Sequence, residues 1–224
     1  MSWDLLNIIA IIAFSFSGAI VALQEKYDVF GVYILGLATS FGGGIIRNVL
    51  LGVPIIPIWK QGVLLETALI STTIIYFLPK GWLKSWNQWN DFFDAVGLAA
   101  FTIQGAAFAL DLNLPIGGVV LSSLVTGIGG GMIRDILAGR KPMVLYQEIY
   151  AVWAIAVGLV IGLRWVKINN PIQLYLLLVL VTILRIISIY RKWHLRIRSL
   201  DNNPALTRFE TWKRKFKLYN SISK

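Results

Sequence analysis

Arg134 and Asp135 stand side by side in an apolar stretch, just after the glycine triplet Gly129-Gly130-Gly131. Arg47 and Asn48 follow Gly42-Gly43-Gly44 in the same way, 87 positions earlier. A guanidinium binds carboxylates and phosphates in fixed geometry, and an aspartate binds cations. In lipid either charge is costly, so it marks a polar path or a buried pair. An arginine near a span end can instead reach the interface, but an aspartate is too short to do so. Asp135 is therefore expected to face water or a cation partner. Thr39 and Thr126 precede the triplets by one turn, and Asp94 and Gln104 lie in a later apolar run. The expected pore-lining or gating set is Arg47, Asn48, Arg134, Asp135, Thr39, Thr126, Asp94 and Gln104. Glu66, Asp94 and Gln104 are expected to face the bundle interior or a partner subunit. Ser15, Ser17 and Thr102 occupy repeat-matched places, and Arg185 is expected to reach the cytoplasmic face.

The triplets themselves need explaining. A glycine inside a helix costs about 1 kcal/mol relative to alanine. Three in a row are expected to break or kink a helix where it lines a pore, as lipid-exposed irregular backbone does not occur. The alternative is close helix packing through small residues.

The elements that must carry these residues are apolar. The chain has 224 residues, is 57% hydrophobic and only 14% charged, and has a mean hydropathy of +0.70. Seven runs, near 5–23, 30–50, 62–78, 92–110, 116–138, 149–166 and 172–190, approach the roughly 20 residues that cross a bilayer as helix. They are too long and too uniform for barrel strands. No cysteine is present and the one histidine is His194, which excludes thiol chemistry and the common zinc sites. No nucleophile has a base near it, and the triplets lack the strand-loop-helix setting of a phosphate loop. An enzyme, a cofactor and a metal site are not expected. Asp4 stands where a signal peptide would carry basic residues.

The repeat extends beyond the glycines. At the same offset of 87, Asp4 matches Asp91, Gly18-Ala19 matches Gly105-Ala106, and Gly31 matches Gly118. No gap is needed from residue 4 to residue 52. Each copy holds three spans, an odd number, so the second copy enters the membrane from the opposite side. The expected fold is all-α and integral to the membrane. It has seven transmembrane helices in two inverted three-helix repeats, one extra helix, and glycine-broken helices in spans two and five. Residues 1–190 form a single membrane domain, with repeat one at 4–78, repeat two at 91–166 and the extra helix at 172–190. Residues 191–224 form a basic tail with ten Lys or Arg against Asp201 and Glu210. Much of the formal charge of +10 lies there. Such a tail reads as a cytoplasmic topology determinant rather than a nucleic-acid site. Trp212, Phe216 and Tyr219 among its lysines suggest a short helix resting on membrane lipids. Seven spans then put the N-terminus outside. Trp82, Trp86 and Trp89 in the linker at 79–91 read as an interfacial belt.

The doubled Gly-Gly-Gly-x-x-Arg-Asp/Asn motif in a three-plus-three-plus-one layout resembles the prokaryotic branch of the trimeric intracellular cation (TRIC) channel family. It also resembles related bacterial membrane proteins described as glycine transporters. The resemblance covers residues 4 to about 190. It implies a homotrimer in the prokaryotic plasma membrane, with a pore in each subunit permeable to monovalent cations, chiefly K⁺. It implies kinks at Gly42 to Gly44 and Gly129 to Gly131, and charged pore residues at Arg47, Arg134 and Asp135. An arginine in a cation pore repels the permeant ion, so Arg134 is expected to act as a gate or voltage-sensitive element. The competing expectation is a secondary transporter for a small zwitterion such as glycine, its carboxylate on Arg134 and its amine on Asp135. A third is a structural protein with a closed core, in which the glycines only pack.

Overall fold

The computed structural model describes residues 2–79, 86–145, 149–191 and 193. Seven α-helices follow one another: α1 Ser2–Gln24, α2 Val29–Leu50, α3 Gly62–Phe77, α4 Trp86–Asp111, α5 Ile116–Leu137, α6 Ile149–Gly162 and α7 Pro171–Tyr190. No strand occurs among the described residues. Five of these helices are long and apolar enough to cross a membrane. α3 matches its expected run and α6 ends four residues early, which leaves them at 16 and 14 residues. At 1.5 Å per residue they reach about 24 and 21 Å, less than the roughly 30 Å hydrocarbon layer. Irregular chain precedes α3 and contains a single 3-10 turn at Ile58–Lys60.

The repeat is visible in the backbone. Lys26 and Asn113 both adopt positive φ, at 60° and 54°. Gly52 and Gly139 do the same at 64° and 68°. Each pair is 87 residues apart. All four positions end a helix in the same way, with an amide reaching back six residues inclusive. The bonds are Tyr27 N to Ala22 O at 2.9 Å, Leu114 N to Ala109 O at 3.1 Å, Val53 N to Asn48 O at 2.9 Å and Arg140 N to Asp135 O at 2.8 Å. These left-handed caps satisfy carbonyls that a helix end would otherwise leave bare. At the other ends, the Asp28 side chain caps α2 by accepting from Gly31 N, and Asn170 caps α7 ahead of Pro171.

Within each repeat the first helix packs on the second and third: α1 on α2 and α3, α4 on α5 and α6. Across the repeats α1 meets α4 and α2 meets α5. Phe14 and Phe101, equivalent residues, pack ring to ring at 5.0 Å on this shared seam. α7 lies against α4 and α6. Small residues permit these contacts. A Cβ on Gly18 would sit 2.7 Å from Leu35 O, and one on Gly105 would sit 2.6 Å from Ser122 O.

The glycine triplets do not break their helices. α2 and α5 run through them without interruption, which corrects the expectation of broken helices in spans two and five. The reason is the crossing itself. A Cβ on Gly43 would lie 2.2 Å from Thr126 O, and a Cβ on Gly130 would lie 2.2 Å from Thr39 O. Each helix thus needs a bare backbone where the other's carbonyl passes, and helical hydrogen bonding survives. The tail at 194–224 and Trp82 lie outside the described residues. The linker is shorter than expected because α4 already begins at Trp86, and Trp89 is half exposed and stacks on Phe93.

Candidate permeation and binding site

The two arginines stand at equivalent places, three residues past the last glycine of each triplet, near the ends of α2 and α5. Their surroundings differ. Arg134 is fully buried. Its Nη1 donates to Asp94 Oδ1 at 2.7 Å and, very closely, to Ser17 Oγ. Its Nε donates to Asp135 Oδ1 at 2.9 Å, and Nη2 lies 2.8 Å from that same oxygen. Asp135 Oδ2 accepts from Met143 N at 2.9 Å, which ties the cluster to the chain after α5. Ser17 Oγ donates in turn to Asn90 Oδ1. Asp94 Oδ2 and the Tyr150 hydroxyl are buried with no hydrogen-bond partner. One guanidinium lies between two carboxylates, and a second buried guanidinium, that of Arg185, lies over the neighbouring Tyr150 ring at 4.5 Å.

Arg47 is only partly buried and has no carboxylate within ion-pair distance among the described residues. Its Nε donates to Asn48 Oδ1 at 3.0 Å, and its guanidinium lies over the Phe108 ring at 4.0 Å. Arg47 lines a cavity of about 290 Å³ together with Asn7, Asn48, Gln61, Gln104 and Asp111. Ser40, Gly44, Phe101 and the chain at Ile55 and Ile56 also line it. Non-helical chain at membrane depth is tolerated where it lines such a cavity, and the segment before α3 does so.

The sequence-expected residues therefore separate into several places. Arg47, Asn48, Gln104 and Gly44 line the cavity. Arg134, Asp135 and Asp94 form a closed ion cluster that does not reach it, so the expectation that Arg134 and Asp135 line a water-filled path does not hold in this conformation. Burial between two carboxylates is the cause. Gly42, Gly43, Gly129 and Gly130 form the α2–α5 crossing, and Gly131 faces the Tyr150 hydroxyl. Thr39 and Thr126 are fully buried and donate to Leu35 O and Ser122 O, both at 2.6 Å. They pack against Gly18 and Gly105 rather than line a pore, since a threonine in an apolar helix bonds the turn before it. Glu66 is exposed on α3 and does not face the interior. Arg185 is 2% exposed and lies over the Tyr150 ring at 4.5 Å instead of reaching the interface.

A family model described as "Glycine transporter" matches residues 4–80 and again residues 91–165, two segments that begin 87 positions apart. The chain belongs to the glycine transporter family. The Bacillus subtilis membrane protein YvgT is 52% identical over 204 residues, covering 90% of this chain and all of YvgT. A prokaryotic TRIC channel crystallised in 0.5 M KCl is 37% identical with a TM-score of 0.76, covering 86% of this chain and 98% of that one. A second TRIC cation channel is 32% identical with a TM-score of 0.76, covering 88% and 97%. The fold is that of the TRIC channels, and the chain is an integral membrane protein.

Residues of these two sites that escaped the sequence reading include Asn7, Gln61, Asn90, Asp111 and Tyr150. Asn7 carried a usable signal. It falls on Asp94 at the repeat offset, so the partner of one arginine marks the neighbour of the other. Of the other four, Gln61 falls on Glu148 at the same offset, whereas Asn90, Asp111 and Tyr150 fall on the uncharged Trp3, Gln24 and Val63.

Proposed function

We propose that this chain is a monovalent-cation channel, chiefly for K⁺, which assembles as a homotrimer with a permeation path inside each subunit. The observation that carries the reading is the polar cavity inside the helical bundle, which extends to Gly44, next to the crossing glycine Gly43. The likeness to two TRIC cation channels over nearly their whole length supports it. In this conformation the path is closed. The α2–α5 crossing leaves no room at Gly43 and Gly130, and Arg134 fills the space beyond. The repulsion between an arginine and a permeant cation is offset at Arg134 by Asp94 and Asp135. Opening needs the crossing to part and Arg134 to shift, and a charge moved through the whole membrane field responds by about 2.3 kcal/mol per 100 mV.

Single-channel recording of the purified protein in a KCl gradient tests this reading. The expected result is unitary currents reversing near the K⁺ potential, with Arg134→Ala raising open probability and weakening voltage dependence. Saturable uptake without unitary currents would contradict it.

The second reading is a secondary transporter for a small amino acid such as glycine. The description of the family favours it, as does a cavity that reaches one arginine and not its mate. A carboxylate on Arg134 is no longer part of that reading, because Asp94 already holds that guanidinium.

A further inference from the structure

The side chains bonded to the Arg134 guanidinium are Asp94, Asp135 and Ser17. Their mates at the repeat offset are Asn7, Asn48 and Gln104. All three mates line one cavity with Arg47. The arrangement around the arginine is therefore repeated, but its charge is not. Two carboxylates have become amides, and the hydroxyl has become a third amide. One contact is kept almost unchanged. Asn48 Oδ1 accepts from Arg47 Nε at 3.0 Å, as Asp135 Oδ1 accepts from Arg134 Nε at 2.9 Å. Arg47 Nη1 and Nη2 have no protein acceptor among the described residues. Asp111 is the one carboxylate among the described residues that line the cavity, and it is exposed at the end of α4, beyond ion-pair distance of Arg47. A guanidinium cannot shed its charge by losing a proton. Partly buried without a carboxylate, it needs a counter-charge from elsewhere.

From this exchange we infer that the Arg47 cavity holds a small monovalent inorganic anion such as chloride, in place of the two lost carboxylates. The unbonded nitrogens of Arg47 donate to it in charge-assisted bonds. Asn7 and Gln104 carry the amide N–H groups that can join them, since the amides of Asn48 and Gln61 already donate to Pro54 O and Ile56 O. Stacking on Phe108 holds the guanidinium in place beforehand, so little side-chain freedom is lost on binding. One guanidinium balances one negative charge, and Asp111 at the exposed end of the lining opposes a second. A cavity of about 290 Å³ admits the ion with several of its waters, at about 30 Å³ for each water. On the channel reading, the bound anion would shield a permeant cation from Arg47, as Asp94 and Asp135 do at Arg134. The binding itself does not rest on that reading, because it is an equilibrium property measured without current.

The test is chloride NMR line broadening by the purified full-length protein in detergent, with potassium chloride replaced stepwise by potassium gluconate at constant ionic strength. Broadening should saturate with chloride. Bromide should displace it, and sulfate should compete far more weakly. Arg47→Gln should weaken chloride binding at least tenfold, while its melting temperature in gluconate stays close to that of the unaltered protein. Asn48→Asp is the decisive variant, because it sets a carboxylate on Arg47 Nε as Asp135 does on Arg134. It should also weaken binding at least tenfold. Asn48→Ala, which loses the same bond to Pro54 O without adding charge, should keep most of the binding. Absence of saturable chloride binding to the unaltered protein would overturn the inference. So would full binding by Asn48→Asp or by Arg47→Gln, sulfate competing as well as bromide, or displacement by glycine at lower concentration than by bromide.

Discussion

Arg134 and Arg47 hold one position in two copies of one unit, yet two carboxylate-to-amide exchanges give them different work. A buried ion pair that loses one partner leaves an uncompensated charge, at a cost of roughly 3–5 kcal/mol. Asp94→Asn is therefore expected to destabilise the protein by about 3 kcal/mol, toward the low end because Asp135 still holds the guanidinium. Arg47→Gln loses one hydrogen bond and one ring contact at a partly exposed site, and about 1 kcal/mol or less is expected. Melting temperatures in detergent would separate the two, with a large drop for Asp94→Asn and a small one for Arg47→Gln. At this scale much was legible beforehand. Asp94 and Gln104 do turn inward, since a carboxylate or amide in an apolar run has few other places to go. The pairing of Arg134 with Asp94 was not legible. The two lie 40 residues apart, on helices whose contact no local pattern encodes. Arg185 misled for a similar reason. Its distance from the helix end suggested the interface, but the Tyr150 ring lies beside it in the fold.

At the scale of helices, the glycines sort by what they touch. Gly43 and Gly130 each face a backbone carbonyl that no side-chain rotation can move aside. Gly43→Ala or Gly130→Ala should force α2 and α5 apart and cost about 1–3 kcal/mol or more. Gly44 has only the Arg47 side chain, at 3.9 Å, in the space a Cβ would take. Gly44→Ala is expected to be neutral or to stabilise by up to about 1 kcal/mol, the usual gain of alanine inside a helix. Thermal unfolding of the three variants checks the ranking, and equal losses at Gly43 and Gly44 would refute the crossing as the reason for the triplets. The positions of the triplets were legible from the sequence, but their purpose was not. Gly-Gly-Gly in an apolar run fits a break and a close crossing equally well, and only the neighbouring helix decides between them. α6 was overestimated because apolar residues continue past Gly162, where the backbone has already turned.

For the molecule as a whole, the duplication was the most legible feature, because glycine, aspartate and arginine do not substitute freely for apolar filler. Seven helices and their order followed from the apolar runs, and the pairing of the first six into two halves followed from the repeat. The closed crossing that the proposed channel reading needs did not, since no local pattern in one helix records which neighbour it packs against. The account therefore turns on whether the α2–α5 crossing is the gate. A Cβ on Gly42 would stand 3.7 Å from the Cβ of Ile133, close to the mean Cβ separation of a disulfide. The chain has no native cysteine to interfere. The double variant Gly42→Cys with Ile133→Cys can thus pin the two helices together. Recorded in planar bilayers, it should fall silent when oxidised and regain K⁺ currents when reduced. Currents of unchanged open probability from fully cross-linked protein would contradict the account.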